Sequence, residues 1–231
     1  MNDVLQQAAS SAFETVFSEL RAISRQLTEV AADSWGKTGN LTEEIVQQMR
    51  PHLVRALHRL DGHAFSLGII LDENIIAGTS YSLSWLERAA DGTIQNDSNI
   101  RYPWRGNFYE YSKADWMSLP RSSREPVIVG PYVDFDKYLL TLAVPVIVSD
   151  QFIGVTAADL RLDDFERLVA IPLSQCEQDC LIVNSEGRVV VSNTTTYPVG
   201  SISDTYDAEA NDIAHYGWQV LVLSSPLPVD C

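Results

Sequence analysis

The stretch that decides the fold is GPYVDFDKYLLTLAVPVIVSDQFIGVTAADL, residues 130–160. Its three apolar runs are separated by the polar turns DFD and SDQ, which predicts three consecutive antiparallel strands. Asp134 closes the first run, and Asp159 lies near the end of the third. Asp134 is well explained as a turn residue, because aspartate is common in turns. Asp159 is harder to explain, because aspartate is depleted in strands and a buried charge needs a partner.

The chain after this stretch predicts a helix and three more strands. RLDDFERLVAIPL (161–173) has the pattern of a short helix, and CLIVNSEGRVVVSN (180–193) that of a hairpin in which Gly187 supplies a positive φ. A polar stretch rich in Thr, Ser and Asp follows. YGWQVLVLSSPL (216–227) then supplies a last strand.

Two helices are predicted before the strands. Residues 3–31 carry apolar side chains at alternating steps of three and four, the spacing of a heptad seam. The seam consists of Phe13, Val16, Leu20, Ile23, Leu27 and Val30. Because the seam is short, two interpretations stay open: a helix packed on its own domain, and a helix that also pairs with a second copy. A second helix is predicted over 42–60, where Pro51 should kink it or start a new helix.

The period changes after His63. AFSLGIIL (64–71) predicts a strand with IIAGTSYS (75–82) as its partner, and a further strand leads into the polar loop that ends near residue 97. Residues 99–123 are dense in aromatics, so this irregular segment must bury its rings against something. Helices followed by an antiparallel sheet predict an α+β fold with the helices on one side. We divide the chain into a helical segment, 1–61, and a sheet-containing domain, 62–231, with a smaller C-terminal hairpin portion.

Composition excludes some classes of partner. The 231 residues carry a formal net charge of -15, from 31 acidic and 16 basic residues. This argues against nucleic acid and an anionic membrane surface, which both need clustered Lys and Arg. It mildly favours a cationic ligand, although solubility alone explains such acidity. The N-terminus has no signal-peptide pattern, and no run of about 18 apolar residues occurs, so we expect a cytoplasmic protein, or an extracellular one if the sequence is an excised ectodomain.

The cysteines and histidines give little chemistry. Three cysteines and four scattered histidines do not make a disulfide framework or a complete zinc site. We therefore expect no metal and no cofactor. A disulfide between Cys176 and Cys180 in an oxidising compartment stays open. No hydrolase, nucleotide-binding or zinc-protease motif is present, so we do not expect an enzyme.

The aromatic segment and the two aspartates together suggest a site for an ammonium group. Aromatic rings offer their faces to a cation, and carboxylates accept hydrogen bonds from its N–H groups. The alternative is that the rings belong to the core and the aspartates to turns. A ligand ammonium would supply the partner that a buried Asp159 needs.

The same residues resemble a known family. FYEYSKADWMSLPRSSREPVIVG with the stretch quoted first is similar to the ligand-binding half of Cache domains, which are extended relatives of PAS used as sensor modules. The opening helix and the closing YGWQV extend this resemblance over most of the chain. It implies that Asp134 and Asp159 hold a ligand amine inside an aromatic box. The implied aromatic residues are Tyr109, Trp116 and Tyr132, with Tyr111 and Tyr138 as neighbours.

The sequence departs from the amino-acid-binding members of that family. Those members place an arginine two residues before the box tryptophan to hold a carboxylate, and here the position is Ala114. The resemblance therefore implies a biogenic amine, a polyamine or a quaternary amine in place of an α-amino acid. Ligands like γ-aminobutyrate stay open if Arg101, Arg105, Arg121 or Arg124 serves the carboxylate.

We interpret the protein as a non-catalytic sensor that signals through a homodimer, a transcription regulator or another signalling partner. The alternatives are a scaffold protein with a vestigial pocket, the ectodomain of a chemoreceptor or sensor kinase, and an enzyme with Asp159 as its base.

Overall fold

The computed structural model describes residues 2–77, 79, 82–96, 111–134, 136–203, 208–214 and 216–223. The chain forms two compact units, residues 15–161 and residues 1–14 with 162–231. Their bounds differ from the division at residue 61 suggested by the sequence pattern, because the first helix contributes residues to both units. The fold class is α+β, as the sequence predicted.

Four α-helices and one short 3-10 turn lie in the described part of the chain. They are α1 (Asn2–Thr38), α2 (Glu43–Arg59), the 3-10 turn (Tyr111–Lys113), α3 (Asp115–Ser123) and α4 (Leu162–Ser174). Helix α2 continues through Pro51 as one element. Helix α3 was not predicted, since aromatic residues and two prolines obscure its period.

The larger unit contains a six-stranded antiparallel sheet in the order β3-β2-β1-β6-β5-β4. Its strands are β1 (Ser66–Leu71), β2 (Ser82–Arg88), β3 (Ile94–Asn96), β4 (Val127–Asp134), β5 (Lys137–Val148) and β6 (Gln151–Arg161). The three consecutive strands predicted from residues 130–160 are confirmed. Strands β5 and β6 are mostly buried, so these strands place few polar side chains in the interior.

The predicted partner of β1 is wrong. Strand β1 pairs with β6 and with β2, which begins at Ser82, so the predicted partner segment contributes only its last residue to the neighbouring strand. Instead, Ile76 makes an isolated parallel bridge with Leu41, and the Leu41 N–H donates to the carbonyl of Ile75 at 2.8 Å. The backbone of the segment after β1 therefore forms hydrogen bonds with the residues that follow α1.

Helix α1 packs on one face of the large sheet, here called the rear face. Thr156 Oγ1 of β6 donates to the carbonyl of Leu20 at 3.0 Å, and Ser24 Oγ donates to the carbonyl of Pro145 at 3.1 Å. Five of the six seam residues are buried, and Val30 is 41% exposed. This burial favours a helix packed within its own chain over pairing of two copies through the seam.

Helix α3 covers the opposite face of the sheet, the front face. Met117 of α3 is buried in an apolar cluster with Trp85, Ala143 and Ala157. The front face is open enough for these larger side chains because small residues line the row beneath them. Gly68 is one of these: a Cβ built on it would lie 2.6 Å from Cε3 of Trp85 and 2.2 Å from the carbonyl oxygen of Ser84.

The smaller unit has its own sheet and its own aromatic core. Its strands, β7 (Cys180–Val183), β8 (Val189–Ser192), β9 (Ala208–Ile213) and β10 (Trp218–Leu223), are ordered β8-β7-β10-β9. The predicted hairpin and last strand are confirmed, whereas the polar strand β9 was missed. The rings of Phe13 and Phe165 stack with centroids 4.8 Å apart, and Trp218 meets Phe13 edge-on at 5.2 Å. Cys176 and Cys180 are free thiols.

We expect Gly68→Ala to destabilise the protein by about 1–3 kcal/mol, because the added methyl group overpacks against Trp85 and the backbone of β2. Urea unfolding followed by circular dichroism measures this loss. Gly36→Ala in α1 is the matched control, because a Cβ there meets nothing within 4 Å and alanine favours a helix. Equal urea midpoints for Gly68→Ala and the wild type would contradict the close approach.

Candidate functional site

Asp159 lies on the front face between two hydroxyl donors. Its cross-strand neighbours are Ser66 on β1 and Thr141 on β5, so the three side chains point to the same side. Thr141 Oγ1 donates to Oδ1 of Asp159 at 2.6 Å, and Ser66 Oγ donates to Oδ2 at 2.9 Å. Hydrogen bonds from the two paired strands therefore hold this carboxyl in one orientation. An aspartate in a turn would not need such a fixed orientation.

A β-bulge in β4 brings Tyr132 to the same face. The register shifts between Val129 and Tyr132, so Tyr132 lies opposite Leu139 and Asp134 lies opposite Lys137. Without the extra residue, Tyr132 and Asp134 would face the rear. The Oη of Tyr132 lies 2.5 Å from Oγ1 of Thr141. Because Thr141 gives its one proton to Asp159, Tyr132 is the donor in this contact.

Burial is the main influence on the charge of Asp159. The pKa of this carboxyl is raised to about 6; burial is the largest cause, and the charge of Asp134 acts in the same direction. The hydrogen bonds from Thr141 and Ser66 and the ammonium of Lys137 act in the opposite direction. Loss of solvation outweighs these contributions, so the ionised carboxylate still lacks full compensation within the protein.

Aromatic side chains cover the neighbouring part of the front face. The rings of Tyr111 and Trp116 stack with centroids 6.4 Å apart. Both pack against the buried cluster that contains Ala143 and Ala157. These two alanines are in cross-strand register and lie one row from Asp159 on its own face. Aromatic rings and a half-buried carboxyl thus lie on one face of one sheet.

The seven residues implied by the family resemblance are distributed unequally. Tyr111, Trp116, Tyr132, Asp134 and Asp159 lie on or against the front face. Tyr138 pairs with Val133, whose side chain faces the other side of the sheet, and is 38% exposed. Tyr109 lies outside the described residues, as do Arg101 and Arg105.

Sequence reasoning missed Ser66 and Thr141. Each is a hydroxyl residue in an apolar strand, and Ser66 and Thr141 are 1% and 3% exposed. A buried hydroxyl needs a hydrogen-bond partner, so these positions could have been flagged. Their common partner, Asp159, could not have been predicted, because the pairing of β1 with β6 joins residues far apart in sequence.

The two described arginines considered for a ligand carboxylate are engaged elsewhere. Arg121 of α3 makes a bidentate contact with Asp72, at 2.9 and 2.7 Å, and a third hydrogen bond to the carbonyl of Ser112. Arg124 lines an open groove of about 410 Å³ beside α1. None of the six described residues implied by the resemblance lines that groove.

We expect the contribution of Asp159 to the stability of the ligand-free protein to fall as the pH rises from about 4 to about 7. Asp159 binds its proton more tightly in the folded state, with a pKa of about 6 against the usual 3.8, so ionisation costs up to about 3 kcal/mol. Asp159→Asn should flatten this part of the stability curve, measured by urea unfolding at several pH values. Asp33→Asn, at an exposed position of α1, should not. Parallel curves for Asp159→Asn and the wild type would show that this carboxyl is not perturbed.

Comparison with known proteins gives one sequence relative. The methyl-accepting chemotaxis protein PscA of Pseudomonas syringae pv. tomato is 22% identical over 108 residues, which are 46% of this chain and 17% of PscA. The match therefore spans a small part of that receptor. No family model matches the chain.

Solved structures resemble the chain along nearly its whole length. The extracellular domain of the candidate histidine kinase mmHK1S-Z3 has a TM-score of 0.67 and 11% identity, with 96% of this chain and 90% of that one covered. The ligand-binding domain of Campylobacter jejuni Tlp3 with L-norvaline has a TM-score of 0.57 and 13% identity, with 96% and 88% covered. The domain of the Pseudomonas aeruginosa amino acid chemoreceptor PctC with GABA has a TM-score of 0.56 and 16% identity, with 96% and 97% covered.

These structures correct the expected compartment. A cytoplasmic location was inferred from the N-terminus and from hydropathy, and it is wrong, because the chain has the fold of domains that include kinase extracellular domains. The described helices contain no segment long and apolar enough to cross a membrane. At these levels of identity the likeness establishes the fold. The chain has the α+β fold of the Cache-type sensory domains of chemoreceptors and histidine kinases.

Proposed function

We propose that this protein is a non-catalytic sensor domain that binds a small molecule through its ammonium group. The half-buried carboxyl of Asp159, held by Thr141 and Ser66, is the observation that carries the proposal. An ammonium placed beside it would return the electrostatic compensation that burial removes. Asp134 adds a second carboxylate whose charge already acts on Asp159.

The aromatic box of the proposal consists of Tyr111, Trp116 and Tyr132. Each well-placed ring face contributes roughly 0.5–2 kcal/mol to holding a desolvated cation. Tyr132 has a second role, because its hydroxyl donates to Thr141 and so fixes the donor of Asp159. Tyr109 and Tyr138 remain predictions from the family resemblance.

The ligand class follows from the carboxylates and from Ala114. A biogenic amine, a quaternary amine, a polyamine or a γ-aminobutyrate-like molecule offers the cation. The structures of Tlp3 with L-norvaline and PctC with GABA support an amine-bearing ligand for this fold. Ala114 supplies no cation for a carboxylate next to the amine, which argues against an α-amino acid.

We place the domain on the outer side of a membrane, as part of a chemoreceptor or sensor kinase. The extracellular kinase domains of similar fold and the partial match to PscA support this assignment. Signalling would then pass from the ligand to a partner or attached domain through a rearrangement of helices, with or without a homodimer. A scaffold with a vestigial pocket is the second candidate.

Thermal melts against amines, amino acids and carboxylates test the function. A ligand at a hundred times its dissociation constant stabilises the fold by about 2.7 kcal/mol, which corresponds to a rise of a few degrees. We expect amines to raise the melting temperature of the wild type and of Asp33→Asn, but not of Asp159→Asn. The absence of any shift across the panel would favour the scaffold. Retained binding in Asp159→Asn with loss of turnover would favour an enzyme.

We also expect ligand binding to change hydrogen exchange in α1. Strand β6 carries Asp159 on its front face and contacts α1 on its rear face through Thr156 and Leu20. A shift of β6 on binding would therefore alter the protection of α1 amides near that contact. Hydrogen–deuterium exchange with mass spectrometry on α1 peptides measures this change. Identical protection with and without a ligand that shifts the melt would exclude α1 as the output element.

A further inference from the structure

Arg161 is a cation near the candidate site with an unmet hydrogen-bonding requirement. It follows Asp159 by two residues on β6, so both side chains start from the front face. Its Cζ lies 4.7 Å from the ring centroid of Phe65, the residue before Ser66. Among the residues that the structure describes, its buried Nε has no hydrogen-bond partner. Buried donors are rarely left in this state, and a missing ligand or ion is one explanation.

Other cations close to this region already have acceptors. Lys137 lies over the same ring of Phe65, at 5.1 Å, but its Nζ donates to Glu87 at 3.0 Å. Arg121 is bound to Asp72. Unlike Lys137 and Arg121, Arg161 makes no ion pair with any described residue. Arg161 could therefore still donate hydrogen bonds to an anionic group of a ligand.

We propose that Arg161 binds an anionic group of the ligand whose ammonium lies at Asp159. This rests on the proposed function and narrows its ligand class to amino acids with separated charges. The Cα atoms of residues 159 and 161 are roughly 6.6 Å apart in an extended strand. In an α-amino acid one carbon joins the two charged groups, whereas Asp159 and Arg161 start from adjacent rows of the strand. A chain of several carbons between amine and carboxylate fits this spacing.

Planar guanidinium geometry strengthens the assignment. A carboxylate can accept two parallel N–H bonds from an arginine, one of them from Nε. Such a contact would satisfy the buried Nε of Arg161, which solvent does not reach. The ring of Phe65 holds the guanidinium plane from one side, so little side-chain freedom is lost on binding.

Isothermal titration at pH 7.5 with matched probes tests the proposal. The probes are 4-aminobutyrate and 5-aminopentanoate, n-butylamine and n-pentylamine, and L-2-aminobutyrate. We expect the wild type to bind at least one ω-amino acid at least tenfold more tightly than its matching amine and than L-2-aminobutyrate. Arg161→Gln should abolish this preference and leave the amine dissociation constants within twofold. Arg161→Lys should keep part of the preference, and Arg25→Gln, at an exposed position of α1, should keep all of it.

The outcomes separate this proposal from the proposed function. Amine binding without a preference for ω-amino acids would overturn the role of Arg161 and leave the amine sensor standing. A preference that survives both Arg161 variants would do the same. If the folded wild type binds none of the probes, the role of Arg161 is overturned, and the thermal melts against the wider panel of amines decide the proposed function separately.

Discussion

Strand β6 has to satisfy two different environments at once, and the arrangement of the larger unit follows from this constraint. Alternate side chains of a strand face opposite sides of its sheet. On the rear face, Thr156 is bonded to α1, whereas on the front face Asp159 is held by Thr141 and Ser66. A shift of one residue in register would exchange these faces. The central position of β6, with β1 on one side and β5 on the other, fixes that register along both of its edges.

The bulge in β4 complements this central register at the edge of the sheet. It adds one residue between Val129 and Tyr132, which turns Tyr132 and Asp134 toward the face that carries Asp159. A hydroxyl chain then runs from Tyr132 through Thr141 to Asp159. This series of hydroxyl hydrogen bonds orients a poorly solvated carboxyl. Perturbed pKa values and ligand binding are concentrated at sites of this kind. Stability is thus given up at a position where a bound cation would restore it.

Charge in this part of the unit is organised more finely than the net charge of the chain suggests. Carboxylates outnumber basic residues in the whole sequence, yet Lys137 and Arg161 both lie against Phe65 near Asp159. The ion pair between Lys137 and Glu87 is partly buried. Under the proposal for Arg161, opposite charges placed close together would select a ligand by the separation of its own charges, whereas overall acidity would attract any cation.

The sequence by itself determined the fold class, the three strands of residues 130–160 and the positions of Asp134 and Asp159 near strand ends, because apolar periodicity and turn residues are local signals. It did not determine the pairing of β1 with β6, helix α3 or the face on which Tyr138 lies. Those depend on contacts between residues distant in the chain and on a single inserted residue in β4. The hydroxyl donors of Asp159 and the unsatisfied Nε of Arg161 likewise exist only in three dimensions, because cross-strand neighbours are set by tertiary register and not by sequence spacing.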